Sequence, residues 1–236
     1  MDGSTSNPIY FWLPNFAPMT PTIYYCYDAY CGWCYGFSPV IKKIYETYKD
    51  RLPFEVLSGG MIISDDPKPI SVTAPYIQKA YKTVEEYTGV EFGWDYLWHI
   101  NNPEESDWYP NSEKPAIALC IFKEYYEDRQ VEFACDLQYA LHYEGRDLCD
   151  NEAYRHLLEK YSIQPEVFYT KLASEEYKEK AYYEFALCKQ LKVTGYPQLL
   201  IQVSESKFYL LAQGYTDFDT VKSNIERVLK ELAVQP

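Results

Sequence analysis

The stretch TIYYCYDAYCGWCYGF, residues 22–37, decides the fold of this chain. Its first six residues, Thr22 to Tyr27, are β-branched and aromatic apart from one cysteine, which is typical of a buried strand. A short loop follows, Asp28 to Tyr30. From Cys31 onward the apolar residues recur at helical spacing, at Phe37, Ile41, Ile44, Tyr45 and Tyr48. The stretch therefore predicts a strand that leads directly into a helix.

A second strand is predicted soon after this helix. Pro39 interrupts the helical pattern and is expected to kink the helix or to offset its first turn. Phe54 to Leu57 has strand character, and Gly59 and Gly60 close it. A strand, a helix and a strand joined by short connections are typical of a parallel βαβ unit.

The middle of the chain is predicted to be helical. From about Ile70 to Leu191 the apolar residues recur at helical spacing, with breaker clusters at residues 101–103 and 109–111. Asp150 is a candidate N-cap, and Pro165 stands where a proline would open another helix. We therefore expect a large helical insertion.

The end of the chain returns to strands after Thr194-Gly195-Tyr196-Pro197. Leu199 to Val203 and Lys207 to Leu211 predict a hairpin whose loop is residues 204–206. Thr216 to Asp219 resembles a capping box that opens a final amphipathic helix. The order β-α-β, helical insertion, β-β-α predicts an α/β fold.

These elements divide the chain into three predicted parts. Residues 1–21, which contain four prolines, form an irregular N-terminal arm, in which Met19 is an alternative start. Residues 22–64 and 192–236 together form one α/β domain. Residues 65–191 form the inserted helical domain.

The composition narrows the class of protein. The 236 residues carry a net charge of −13 and no basic tract, so nucleic acid is not expected as a partner. The first basic residue is Lys42, which does not fit a signal peptide, and no run approaches the roughly 20 apolar residues of a membrane-spanning helix. We therefore expect a cytoplasmic protein without a membrane partner, whose seven cysteines are mostly reduced.

Cys31-Gly32-Trp33-Cys34 is the most informative motif. Two thiols one helical turn apart, beside a βαβ unit, indicate a redox-active dithiol, and the alternatives are a structural zinc site or an inert pair. Zinc needs a second pair of ligands. The other cysteines are single, and ligand spacing is missing among the histidines His99, His142 and His156. We therefore predict a dithiol and no metal site.

The positions of the two cysteines assign their roles. Cys31 would lie at the N-terminus of the helix, where unpaired backbone N–H groups favour a thiolate. No basic residue flanks the motif, so the helix terminus and the S–H group of Cys34 are expected to stabilise that thiolate. Cys31 is then the exposed nucleophile, and Cys34, one turn inside, resolves mixed disulfides.

These features together resemble a known family. The strand ending at Asp28, the motif from Cys31 to Phe37, the helical insertion and the segment Thr194 to Pro197 are similar to the DsbA family of thioredoxin-fold proteins. The most similar branch is that of the cytosolic predicted protein-disulfide isomerases. The resemblance covers about residues 22–233 and implies that the α/β domain is a thioredoxin-like domain.

The resemblance also assigns residues to the site. It implies that Cys31 is the nucleophile and Cys34 its partner, and that Pro197, in cis, packs against the dithiol. Tyr196 would offer backbone groups to a bound peptide, beside Trp33 of the motif. From the residues alone, an ordinary trans bond at the start of a strand is the alternative. Secreted members of the family carry a signal peptide and this sequence shows none, so reduction or isomerisation is expected to outweigh oxidation.

Residues near the motif have alternative interpretations. Asp28 could relay a proton to the dithiol or act as a cap or loop ligand. The aromatic residues that bracket the dithiol could form an apolar patch for an unfolded or peptide substrate, or part of the core: Tyr30, Trp33, Tyr35 and Phe37. The remaining cysteines are expected to be core thiols or small surface residues: Cys26, Cys120, Cys135, Cys149 and Cys188.

The sequence favours an enzyme over two other classes. We expect a thiol-disulfide oxidoreductase or protein-disulfide isomerase that acts on protein or small-molecule disulfides. It would bind no cofactor, with glutathione as a redox partner and a thiol system that recycles the dithiol. The alternatives are a non-catalytic adaptor that binds a partner protein, and a glutathione-dependent transferase or isomerase on the same fold.

Overall fold

A four-stranded sheet forms the centre of the computed structural model, which describes residues 20–234. The predicted N-terminal arm, with Met19, therefore lies almost wholly outside the described residues. The strands are β1 (Thr22–Tyr27), β2 (Phe54–Ser58), β3 (Gln198–Ser204) and β4 (Lys207–Gln213), in the order β2-β1-β3-β4. β1 runs parallel to β2, and β3 runs antiparallel to β1 and β4. All four predicted strands are confirmed, and the last three are longer than predicted.

Helices surround this sheet. Within residues 20–234 they are α1 (Gly32–Tyr48), α2 (Ala74–Thr88), α3 (Trp94–Asn101), α4 (Glu113–Tyr125), α5 (Gln130–His142), α6 (Arg155–Lys160), α7 (Pro165–Leu172), α8 (Glu175–Gln190) and α9 (Phe218–Val234). The strands with α1 and α9 form a thioredoxin fold, and α2 to α8 form the insertion between β2 and β3. No helix among these is long and apolar enough to cross a bilayer.

The two faces of the sheet pack against different helices. Tyr25 of β1 contacts Phe37 of α1, with ring centroids 6.0 Å apart. The next residue, Cys26, points the other way and packs with Cys188 of α8. One continuous core contains residues of the strands and of the insertion, so the division into two domains stays a prediction.

One local prediction is narrowed and another is corrected. α1 begins before Pro39 and continues through it as one helix, so the first turn is not offset. Pro39 lies on the exposed side of α1, whose buried side keeps its contacts with the core on both sides of the proline. The cap of α9 is Asp217, one residue after the predicted Thr216, because Asp217 Oδ1 accepts the Thr220 N–H at 3.0 Å. Asp150 and Pro165 have their predicted roles at helix starts.

Side chains from the insertion cover the outer edge of β2. Gln130 Oε1 accepts the Val56 N–H at 2.9 Å, and Glu184 Oε2 accepts the Ser58 N–H at 2.8 Å. Lys123 Nζ bonds the Val56 carbonyl and pairs with Glu184 Oε1 at 2.7 Å. These contacts pair backbone groups at the edge of β2, which would otherwise be free to form hydrogen bonds with another strand.

We expect Lys123→Ala to lower the free energy of unfolding by about 3–5 kcal/mol, because it leaves the carboxylate of Glu184 buried without its counter-charge. Lys180→Ala is the matched control, since Lys180 pairs with Glu124 at 2.7 Å but its side chain is 42% exposed. The control should cost less than about 1 kcal/mol in urea denaturation. Equal losses in the two variants would contradict a structural role for the buried pair.

Candidate active site

The dithiol lies where β1 joins α1. Cys31 is the N-cap of α1, and its N–H donates to the Asp28 carbonyl at 3.1 Å. The Cys31 carbonyl accepts the Cys34 N–H at 2.9 Å and the Tyr35 N–H at 3.1 Å. Cys34 is fully buried and Cys31 is 7% exposed, and both are free thiols. The prediction of an exposed nucleophile is therefore wrong, because the surrounding apolar residues cover most of Cys31.

The two thiols differ in acidity. The thiol of the neighbouring Cys34 is the largest cause that lowers the pKa of Cys31, and burial opposes this effect. Backbone N–H groups of Cys34 and Trp33 lower this pKa further. Burial raises the pKa of Cys34 well above its ordinary value, and the neighbouring Cys31 side chain raises it again. The site therefore favours a thiolate at Cys31 and a thiol at Cys34, in the direction that the sequence predicted.

The fold brings Tyr196 to the dithiol across 165 residues of sequence, with the Tyr196 carbonyl oxygen 3.5 Å from Cys31 Sγ. The Tyr196–Pro197 peptide bond is cis, as the family resemblance implied. The Tyr196 hydroxyl donates to the Gly59 carbonyl at 2.9 Å. A Cβ atom at Gly59 would lie 2.0 Å from the Tyr196 ring, so only glycine allows this close packing.

Asp28 connects the dithiol loop to three other segments. Its carboxylate accepts hydrogen bonds from the N–H groups of Tyr30 at 3.0 Å and Met61 at 2.7 Å, and from the Ser112 hydroxyl at 2.9 Å. Its backbone carbonyl accepts a 3.3 Å hydrogen bond from Gln138 Nε2. Burial raises the pKa of Asp28, although these donors oppose the shift. The contacts favour the loop-ligand interpretation over the proton relay.

Only part of the predicted aromatic patch faces the site. Tyr30 and Trp33 are half-buried, whereas Tyr35 and Phe37 belong to the core. Tyr35 stacks on His142 at 5.0 Å, and Phe37 packs on β1 as described above. Of the two interpretations, the core one therefore holds for Tyr35 and Phe37, because the helical period turns these positions of α1 toward the interior.

A cavity of about 240 Å³ opens beside Cys31. The dithiol motif supplies Cys31, Gly32 and Trp33, and the segment after β2 supplies Met61 and Ile62. The other walls come from the insertion and include Tyr76, Ile77, Ala80, Tyr81, Phe92, Tyr96 and Trp108. These residues come from separate segments that share no motif, so only the fold reveals that they meet.

The remaining cysteines lie apart from this pair. Four are buried: Cys26, Cys120, Cys135 and Cys188. Cys149 is half-buried, and burial raises its pKa. Across the part of the chain that the structure describes, no cluster of three histidine, cysteine or acidic side chains has the geometry to hold a metal ion.

A dithiol at a helix N-terminus, opposite a cis-proline segment of a thioredoxin fold, defines a thiol-disulfide oxidoreductase. A family model described as the DSBA-like thioredoxin domain matches residues 22–226, and the chain belongs to this family. No curated protein sequence matches the chain significantly.

Two solved structures illustrate the likeness in fold. One is described as a candidate protein disulfide isomerase from Nitrosomonas europaea, with 21% identity, a TM-score of 0.78 and coverage of 90% of this chain and 99% of that one. Another is the cytosolic disulfide reductase DsbM from Pseudomonas aeruginosa, with 21% identity and a TM-score of 0.72. That match covers 89% of this chain and 99% of DsbM.

We expect Cys31 to be the first cysteine alkylated at pH 7, because its lowered pKa provides thiolate there. Cys149 is more exposed but has a raised pKa, so its alkylation should become fast only at higher pH. Iodoacetamide labelling over a pH series, with peptide mass spectrometry, measures both rates. Cys34→Ala should move the Cys31 midpoint to higher pH. Faster labelling of Cys149 at pH 7 would contradict the assignment.

We expect Gly59→Ala to displace the Tyr196 ring and to slow disulfide exchange at least tenfold, because the new methyl group would overlap the ring. Gly195→Ala is the control: Gly195 adjoins Tyr196, yet nothing lies within 4 Å of its Cβ position and its backbone is not left-handed. Both variants are compared for exchange rate and for thermal unfolding. An unchanged rate in folded Gly59→Ala would show that the position of Tyr196 is unimportant.

Proposed function

We propose that the protein reduces or isomerises disulfides by dithiol exchange, with Cys31 as the attacking and Cys34 as the resolving cysteine. The observation that carries this proposal is the position of Cys31 at the N-cap of α1, beside the fully buried thiol of Cys34. The neighbouring thiol lowers the pKa of Cys31, and burial raises that of Cys34. An acidic thiol beside a protonated one is the arrangement that a two-step exchange requires.

The exchange proceeds through a mixed disulfide. The Cys31 thiolate attacks one sulfur of the client disulfide, the client S–S bond breaks, and the released client thiolate takes up a proton. Cys34 then loses its proton and attacks the Cys31 sulfur. The Cys31–Cys34 disulfide forms and the second client sulfur leaves as a thiol. Two electrons pass from the protein to the client, or return in the same way when a new client disulfide is made.

Tyr196, Pro197 and Trp33 are the proposed client-binding residues. The Tyr196 carbonyl lies 3.5 Å from Cys31 Sγ, which places its backbone beside the disulfide under attack. An extended peptide could pair with that backbone in the manner of strand addition. Trp33 is half-buried and packs edge-on against Tyr87 at 6.3 Å, so its ring is held in position beside the dithiol.

The oxidised dithiol would be recycled by a thiol system, and we propose glutathione as one redox partner. Two glutathione thiols reduce the Cys31–Cys34 disulfide and leave as glutathione disulfide. DsbM, which is similar in fold, has been solved with glutathione, at 22% identity and a TM-score of 0.70. A reducing cytoplasm would hold the dithiol in its reduced form, which favours reduction or isomerisation over net oxidation.

Two other functions remain distinguishable by experiment. A non-catalytic adaptor would keep its binding when both cysteines are replaced by serine. A glutathione-dependent transferase or isomerase needs only one residue that activates a bound thiol, so a second cysteine poised to resolve a disulfide would serve no purpose there. The polarised Cys31–Cys34 pair favours the exchange reaction.

We expect Cys34→Ser to accumulate mixed disulfides between Cys31 and its clients, because only Cys34 can release the intermediate quickly. Cys31→Ser is the matched control and should accumulate none. Cells that express each variant are given an oxidant pulse, quenched with acid and compared on non-reducing gels. Equal ladders from the two folded variants, or none from either, would favour the adaptor instead.

A further inference from the structure

Another cavity, of about 330 Å³, opens on the insertion where the start of α3 meets the turn after α5. It shares no lining residue with the cavity beside Cys31. Gly145, in that turn, has a φ of +68°, and a Cβ atom there would lie 2.5 Å from Asp95 Cβ. Glycine therefore lets the turn approach α3 closely. We call this cavity the tryptophan notch, and its lining residues are Trp94, Asp95, Trp98, His99, Glu144 and Gly145.

The two tryptophans of the notch differ in how firmly they are held. Trp94 is 76% exposed, more than any other large apolar side chain among the described residues. Trp98 is half-buried and packs edge-on against His99, with ring centroids 5.0 Å apart. His99 in turn stacks on the buried Trp108 at 3.9 Å. One indole is thus fixed against the core while the other is open to solvent, and the face of an indole attracts cations.

The charges around the notch also favour a cation. Burial lowers the pKa of His99, so its ring is neutral near pH 7 and does not repel one. The carboxylates of Asp107, Asp147 and Asp95 lie near enough to act on this pKa in the opposite direction, so the surrounding field is negative. The start of α3 contributes about half a positive charge, and the full charge of Asp95 in its first turn exceeds it.

Asp95 supplies a carboxylate that its neighbours leave available. It is exposed and forms no ion pair within residues 20–234. Glu144, the other carboxylate of the notch, is engaged through one oxygen, because its Oε2 lies 2.7 Å from Arg146 Nε and 3.0 Å from His156 Nε2. A cationic ligand that donates hydrogen bonds would therefore find its strongest acceptor at Asp95.

We propose that the tryptophan notch binds the guanidinium group of an arginine side chain from a polypeptide partner. A guanidinium is planar and weakly hydrated, so it stacks on an indole face while its N–H groups donate to a carboxylate. A quaternary ammonium would also bind an indole face but has no N–H group for Asp95. The net charge of −13 adds a long-range attraction for basic partners. The notch is a surface apart from the dithiol, and its ligand does not depend on the exchange reaction.

The test adds N-acetyl-arginine amide to the full chain and follows the indole N–H signals of the tryptophans by NMR. The signals of Trp94 and Trp98 should shift saturably, while that of Trp33 in the dithiol motif should stay unchanged. The citrulline analogue has nearly the same shape without the charge, and it should bind about tenfold more weakly or worse because it loses the cation–π and ionic contacts. The lysine analogue, a strongly hydrated point charge, should bind about threefold more weakly.

Two variants test the residues of the notch. Asp95→Asn keeps the shape of the side chain and should weaken binding about fivefold, because it removes the charge. Asp50→Asn, the same change at an exposed position after α1, should bind normally. Trp94→Ala should abolish the saturable shift of Trp98, whereas Tyr183→Ala, at a 69% exposed aromatic residue of α8, should keep it. Thermal unfolding checks that each variant folds, and if one notch variant does not fold, the other decides.

No shift with the arginine probe, equal binding of the citrulline probe, or unchanged binding by folded Asp95→Asn would overturn the proposal. Equally tight binding of tetramethylammonium would assign the notch to quaternary ammonium groups, and tighter binding of free L-arginine would assign it to the amino acid. Both results would overturn the proposal, as would shifts at Trp33 instead of Trp94. Turnover of hydroxyethyl disulfide should be the same in Trp94→Ala and the wild type, so failure of the notch leaves the exchange reaction intact.

Discussion

The pairing of Cys31, at the start of α1, with the buried thiol of Cys34 is the interaction on which the chemistry of this protein depends. Burial disfavours the charged form of both thiols, and the dithiol has no neighbouring basic residue in the sequence to offset that cost. The Cys34 S–H and the first N–H groups of α1 therefore have to stabilise the negative charge on Cys31. Burial, followed by the neighbouring Cys31, keeps Cys34 protonated, so the pair gives different roles to two chemically identical side chains.

The two cysteines must be held in fixed positions for this contact to persist. The helical insertion provides many of the contacts that hold them. Gln138 of α5 donates to the Asp28 carbonyl and accepts the Ser38 hydroxyl of α1 at 2.8 Å. Ser112, just before α4, donates to the Asp28 carboxylate. The loop that carries Cys31 is thus held by two segments of the insertion. The insertion accordingly shapes the site in addition to enclosing the cavity beside it.

The sequence predicted the parts of the structure that depend on residues close together in the chain. The strand Thr22–Tyr27, the start of α1 and the dithiol all follow from local patterns, and the structure contains them as expected. Contacts between distant segments were not predictable: Asp28 with Ser112, Gly59 with Tyr196, and the walls of the cavity. The cis bond before Pro197 required the family resemblance, because a trans bond is the ordinary state of such a dipeptide. Pro39 does not offset the first turn of α1, because it lies within the helix, and the predicted kink stays a prediction.

The central claim is that Cys31 and Cys34 form the redox centre of this chain. Equilibration of the purified protein in glutathione buffers of graded ratio, followed by acid quench and mass spectrometry of the cysteine peptides, tests it most directly. The account predicts a reversible two-electron transition in which only the Cys31–Cys34 disulfide appears, while the other five cysteines stay reduced. A transition carried by another pair of cysteines, or a Cys31–Cys34 pair that never oxidises in the folded protein, would contradict it.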